Sequence, residues 1–158
     1  MQKEIIRNRN ESDPPDIGWI DATNFRVRLS SEDASSSIES ALGLAEGIGW
    51  RAADSGEQRI IVGFESPARV RHIRLRFEAS ETRTQEFVLR WSQDHGSTFR
   101  EIVRQQYNFS PAAHVEQEDY TTDLVGATDV ELLIVPDISD GPARASLREL
   151  RFGDTLLR

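Results

Sequence analysis

Val70-Arg71-His72-Ile73-Arg74-Leu75-Arg76-Phe77-Glu78-Ala79 alternates apolar and polar side chains from Ile73 onward. Ile73, Leu75, Phe77 and Ala79 fall on one side, Arg74, Arg76 and Glu78 on the other. A period of two is that of a β-strand with one face in a core and the other in water. The same reading extends outward in both directions. Upstream, Ile60, Val62 and Phe64 alternate with Arg59, Ile61 and Gly63; downstream, Phe87, Leu89 and Trp91 alternate with Val88, Arg90 and Ser92. Turn signals separate these runs: Ser66-Pro67, Ser80-Glu81-Thr82 and Asp94-His95-Gly96. Further strands are expected near Trp19–Leu29, Thr98–Asn108, His114–Asp123, Asp129–Val135 and Arg144–Phe152. Only Ser37–Ala45 has a helical spacing, with Ile38, Leu42 and Ala45 on one side. Short strands without helical blocks between them predict an all-β, antiparallel, eight-stranded sandwich and exclude repeated βαβ units.

The chain has 158 residues, enough for one domain with a sizeable core. Residues 1–16 are polar and end in Asp13-Pro14-Pro15-Asp16, a flexible leader in which the proline pair blocks a helix. The folded domain is expected over 17–153, followed by a tail at 154–158. Lys and Arg number 19 against 27 Asp and Glu, a net charge of -8. That balance argues against nucleic acid as a partner, because neutralising phosphates requires a cationic surplus. There is no cysteine, hence no disulfide, thiolate metal site or cysteine nucleophile. No segment reaches membrane-spanning length, and Met1–Asn10 lacks the apolar stretch of an export signal. As it stands, the sequence predicts a cytoplasmic protein, or an extracellular one if it is part of a longer exported chain.

No phosphate-binding glycine loop, HExxH or GxSxG motif is present, so no enzymatic activity is expected. His72, His95 and His114 fall on separate elements without ligand spacing. If strands run up and down, segments 30–56, 80–85, 109–113 and 137–143 collect at one end. The short links 66–69, 93–97 and 124–128 then collect at the other. Long loops on a rigid scaffold are the usual seat of binding, which nominates Arg51, Asp54, Arg83 and His114 as ligand-binding residues. Arg69, Arg71, Arg74 and Arg76 form a basic stripe best explained by acidic partners across the sheet. Asp94-His95-Gly96 is explained by hairpin-turn chemistry.

Three stretches in order resemble the discoidin-like domains, also called F5/8 type C or galactose-binding-like. They are Gly49-Trp50-Arg51 followed by Gln58–Phe64 and Val70–Leu75; Phe87–Phe99, with its Ser-x-Asp-x-Gly turn; and Ala145–Gly153. The resemblance implies a jelly-roll sandwich whose end loops bind carbohydrates, lipid headgroups or protein partners. It also implies a structural calcium ion near the loop before Trp50 and a metal ligand at Glu149. Here that loop, Ala41–Gly49, lacks the family's Asp-Gly-Asp-like turn. Glu149 shares the phase of Ala145 and Leu147, so a regular strand would bury it, where calcium or an arginine would have to satisfy it. A bulge at Arg148 would instead release it to solvent and keep Leu150 and Phe152 inside. Trp50 is expected to pack beneath the loops, with Trp19 and Trp91 in the core or at its margin. Two functions follow: a non-catalytic module for a carbohydrate or similar polar ligand, or an interaction and assembly domain without a small ligand.

Overall fold

The computed structural model describes residues 18–155; the expected leader lies outside the described residues, as do Ile17 and residues 156–158. The strands are β1 (Arg26–Leu29), β2 (Trp50–Arg51), β3 (Gln58–Glu78), β4 (Arg83–Ser92), β5 (Arg100–Phe109), β6 (Val115–Val135), β7 (Ser146–Leu147) and β8 (Glu149–Gly153). One helical turn, α1, spans Ile38–Ala41. It is shorter than the expected Ser37–Ala45: Ile38 and Leu42 are buried, but Ala45 is exposed. The first expected strand is also interrupted. Trp19 makes an isolated bridge to Gly153, a 3₁₀ turn occupies Ala22–Asn24, and only then does β1 begin.

The architecture rests on β3 and β6, each 21 residues long and paired antiparallel along most of their length. Both turn a corner together. Gln58–Gly63 pairs with Asp129–Ile134 in the first layer, and His72–Glu78 pairs with Val115–Thr121 in the second. Register shifts between Gly63 and His72 mark the bend, as expected where a strand passes from one sheet to the other. Pro67 sits inside this irregular stretch, where the missing N–H removes no ladder bond. The links expected at 66–69 and 124–128 are therefore corners within continuous strands.

The first layer runs β1-β3-β6-β4-β5, and β8 pairs with the second half of β3 in the other layer. All pairings are antiparallel, and β2 and β7 form a separate two-stranded ribbon. Ile73, Leu75, Phe77, Phe87, Leu89, Leu132, Ile134 and Phe152 meet between the layers, each at most 1% exposed. Phe77 and Phe87, from opposite layers, have ring centroids 5.2 Å apart. Burying side chains of this size stabilises by about 1.5–3 kcal/mol each, so the alternating apolar face is what holds the layers together.

The outer faces carry the charges. Arg74 donates to Asp119 at 2.8 Å and Arg69 to Asp123 at 2.9 Å, both across the β3–β6 pair. In the first layer Glu131 is fully buried between Arg59, at 2.5 Å, and Arg90. His72 has the outward phase yet is fully buried: its Nε2 lies 2.6 Å from Asp119, and Trp19 packs over the ring at 5.1 Å.

Candidate functional site

Backbone contacts bring the long segments together at one end of the sandwich. Ser31 Oγ accepts from the N–H groups of Ala53 and Asp54, Gly56 donates to Ala143, and Ile138 donates to Thr84. Ala79 donates to the carbonyl of His114, which ties the 79–83 connection to the turn at 110–113. An open cleft of about 440 Å³ lies among these loops. Ile48, Trp50, Arg51, Arg83, His114 and Arg144 are among its lining residues.

Arg51 owes its place to the β2–β7 ribbon. Trp50 turns inward opposite Leu147, is 1% exposed, and donates its indole N–H to the carbonyl of Ser31 at 3.2 Å. The strand period then turns Arg51 outward. Its backbone is fixed on both sides, its N–H to Ser36 at 3.2 Å and its carbonyl from Asp33 at 2.8 Å. The loop before Trp50 passes very close to β7. Gly49 has φ +94°, and a Cβ there would stand 2.3 Å from the Leu147 carbonyl oxygen, so only glycine fits. Among the described residues the Arg51 guanidinium makes no hydrogen bond or ion pair.

The other three nominated residues differ. Arg83 lines the cleft but is only 8% exposed. Its guanidinium donates to the Pro136 carbonyl, lies 5.3 Å over the Phe109 ring and pairs with Glu81 at 3.4 Å. Burial lowers its pKa, Glu81 and Asp137 oppose that shift, and repulsion from Arg51 adds to it. Arg83 thus builds the cleft wall. His114 is exposed at the mouth. Asp54 is exposed and does not line the cleft; its backbone N–H, 3.3 Å from Ser31 Oγ, is what the loop uses.

Sequence reasoning missed two contributors. Arg144, expected in a strand, sits before β7 and faces Asp33 at 3.7 Å. Hydrogen bonds from Ser35 hold the Asp33 carboxylate pKa low, with Arg144 and Arg51 adding to the effect. Ile48 is 79% exposed on the cleft rim, and its place between Gly47 and Gly49 was the available signal. Beneath this end, Glu116 pairs with Phe77 across the sheet and is 1% exposed, with neither carboxylate oxygen hydrogen-bonded. Burial, with Glu118 nearby, pushes its pKa up to about 8.

Of the two readings of Glu149, the structure has the bulge at Arg148 and not the regular strand that would bury it as a metal ligand. The chain slips at Arg148, whose N–H donates to the Arg76 carbonyl at 2.8 Å, so Leu147 and Leu150 are both buried. Glu149 is left half-buried, 3.2 Å from Arg151 Nε. It shares a polar cleft with Arg76, Arg148, Arg151 and Glu78. Three guanidiniums beside two carboxylates do not fit calcium, which takes six to eight oxygens from acidic and carbonyl groups. Among the described residues no three His, Asp or Glu side chains gather as a metal site. Instead, Arg148 Nη1 donates to the Gly47 carbonyl at 2.7 Å and clasps the loop before Trp50.

No family model and no curated protein matches the sequence. Among solved structures, the chain is similar to the family 32 carbohydrate-binding module of C. perfringens NanJ, solved with galactose. The TM-score is 0.65 at 12% identity, covering 86% of this chain and 98% of that one. The corresponding module of AlyQ, solved with 4,5-unsaturated mannuronic acid, gives 0.62 at 18% identity, covering 85% and 96%. An F5/8 type C domain from Bacteroides fragilis gives 0.62 at 10% identity, covering 91% and 100%.

Proposed function

On a discoidin-like, galactose-binding-like jelly roll, we propose a non-catalytic binding module that takes a carbohydrate or similar polar ligand in the loop-end cleft. The observation that carries this reading is Arg51. It is a guanidinium without an ion pair among the described residues, carried on a backbone fixed by hydrogen bonds on both sides, next to the buried Trp50 and lining an open cleft. A planar fork of donors suits hydroxyl pairs and carboxylates. In this reading Arg51 orients the ligand, His114 adds a polar contact at the mouth and Arg83 shapes the wall. Asp54, outside the cleft, meets only a ligand longer than one ring. The module neighbours solved with galactose and with unsaturated mannuronic acid support the ligand class. A glycan ligand also suits a module that works outside the cell as part of a longer exported chain. Among the described residues no helix is long and apolar enough to cross a membrane.

The test is a glycan array with the protein and its Arg51→Ala variant. Retention of a defined set of glycans, lost in the variant, is the expected outcome; uniform silence overturns it. A second reading, an assembly domain without a small ligand, draws on the exposed Leu44 and Ile48 of one loop, 46% and 79% accessible. A silent array together with a stable oligomer in light scattering would favour it.

A further inference from the structure

We infer that the ligand of this cleft is an acidic saccharide, with a sugar carboxylate bound by Arg51 and an apolar ring face laid on Ile48. The inference rests on the module reading above and specifies its substrate class. Its basis is a local reversal of charge. The whole chain carries -8, yet the cleft is lined by Arg51, Arg83 and Arg144 against Glu78 and Glu81. One positive charge is left over, apart from His114.

The pairing pattern says which group carries it. Glu81 is engaged by Arg83 at 3.4 Å, and Glu78 by Arg76 at 3.1 Å from outside the cleft. Arg144 has Asp33 at 3.7 Å, whose carboxylate also accepts from Ser35 Oγ at 2.8 Å. Arg51 remains. The repulsion between Arg51 and Arg83 points the same way, because an anion seated between them would relieve it. A single monoanionic carboxylate matches the one surplus charge, and guanidinium binds it with two parallel hydrogen bonds. A doubly charged phosphate would find too little compensation.

The apolar side of the site has its own support. Ile48 is 79% exposed, on a loop that Arg148 fixes at Gly47 and the Ser40 hydroxyl fixes at Gly49 (2.9 Å). A large aliphatic side chain exposed in the same cleft as a guanidinium without an ion pair among the described residues matches the two surfaces of a uronate ring, a face of C–H groups and a carboxylate at the edge.

The experiment compares a panel of uronate- and sialate-bearing oligosaccharides with their carboxyl-reduced counterparts and neutral galacto-oligosaccharides. Binding is measured by titration calorimetry at low and high NaCl. The acidic form is expected to bind about tenfold more tightly or better than its reduced counterpart, as befits a charged hydrogen-bonded pair. The advantage should shrink in high salt, vanish in Arg51→Gln and survive in part in Arg51→Lys. Ile48→Ser should weaken acidic and reduced forms alike. If reduced or neutral sugars bind as well as acidic ones, or Arg51→Gln keeps the preference, the acidic assignment falls while the module reading stands. If nothing on the panel binds, both fall.

Discussion

The two ends of the sandwich are built in opposite ways. At the corner end the chain hardly leaves its strands: β3 and β6 bend through it, with the 92–98 turn and the short segment around the 3₁₀ turn at Ala22–Asn24 beside them. Short side chains close that end, with Thr128 Oγ1 accepting from His95 N–H at 2.9 Å and donating to the Ser92 carbonyl at 3.1 Å. Gln93 adds a bond to the Val125 carbonyl at 2.7 Å. At the loop end the chain departs from its strands four times, and the gaps are filled by large side chains with charges to satisfy. A strand that turns a corner interrupts its ladder for only a few residues and adds little loop, although an open cleft of about 410 Å³ lies there too, between Phe64–Arg69 and Ile20, Asp21, Asn24 and Phe25. A loop must recruit side chains, and those side chains make a cleft.

If that contrast is right, substitutions at the two ends should separate stability from binding. Trp50→Ala is expected to have the largest effect, a loss of about 3–5 kcal/mol in urea unfolding together with binding, because a fully buried indole under the loops leaves a cavity. Glu116→Gln should act in the other direction. Its folded pKa of about 8 lies above the ordinary glutamate value of 4.5, so between these values the folded state keeps a proton that the unfolded chain has lost. Wild-type stability therefore falls as pH rises across that window and levels off above it. The glutamine variant should match wild type near pH 4 and exceed it by about 3 kcal/mol at pH 8, below the ceiling set by about 1.4 kcal/mol per pH unit. Parallel pH profiles of the two proteins would refute this. Thr128→Val, at the corner end, should cost about 1–2 kcal/mol by orphaning two backbone groups, with ligand affinity unchanged. Arg51→Ala should shift the melting temperature by no more than about 2 °C while removing binding. A large stability loss there would mean that the guanidinium supports the fold.

The strands were legible because each buries one face. Ile73, Leu75, Phe77, Phe87 and Leu89 are where their alternation puts them. The continuity of β3 and β6 was not legible. Ser66-Pro67 is chemically a turn signal, and only the pairing across both layers turns it into a corner. Likewise, nothing local announces that the polar run Glu116-Gln117-Glu118 buries its first carboxylate, or that Trp19 seals His72 from 53 positions upstream. Three of the four nominated cleft residues do meet, because loop clustering follows from strand order alone. Asp54 does not, because its side-chain direction depends on a turn that Ser31 shapes. The anchoring of the Arg51 backbone and the burial of the Arg83 side chain came from partners the sequence does not name, Asp33 and Pro136.

Because β3 and β6 each belong to both layers, the sandwich has no seam along which its plates could part. Opening one layer would tear the ladder that holds the other. Amide hydrogens along Gln58–Gly63 and His72–Glu78 should therefore exchange together, in one slow event, despite lying in different sheets. Ligand capture by a clamshell motion is ruled out by the same geometry. Whatever adjusts when the cleft fills must be loop and side chain alone, and free and bound forms should coincide throughout the strands.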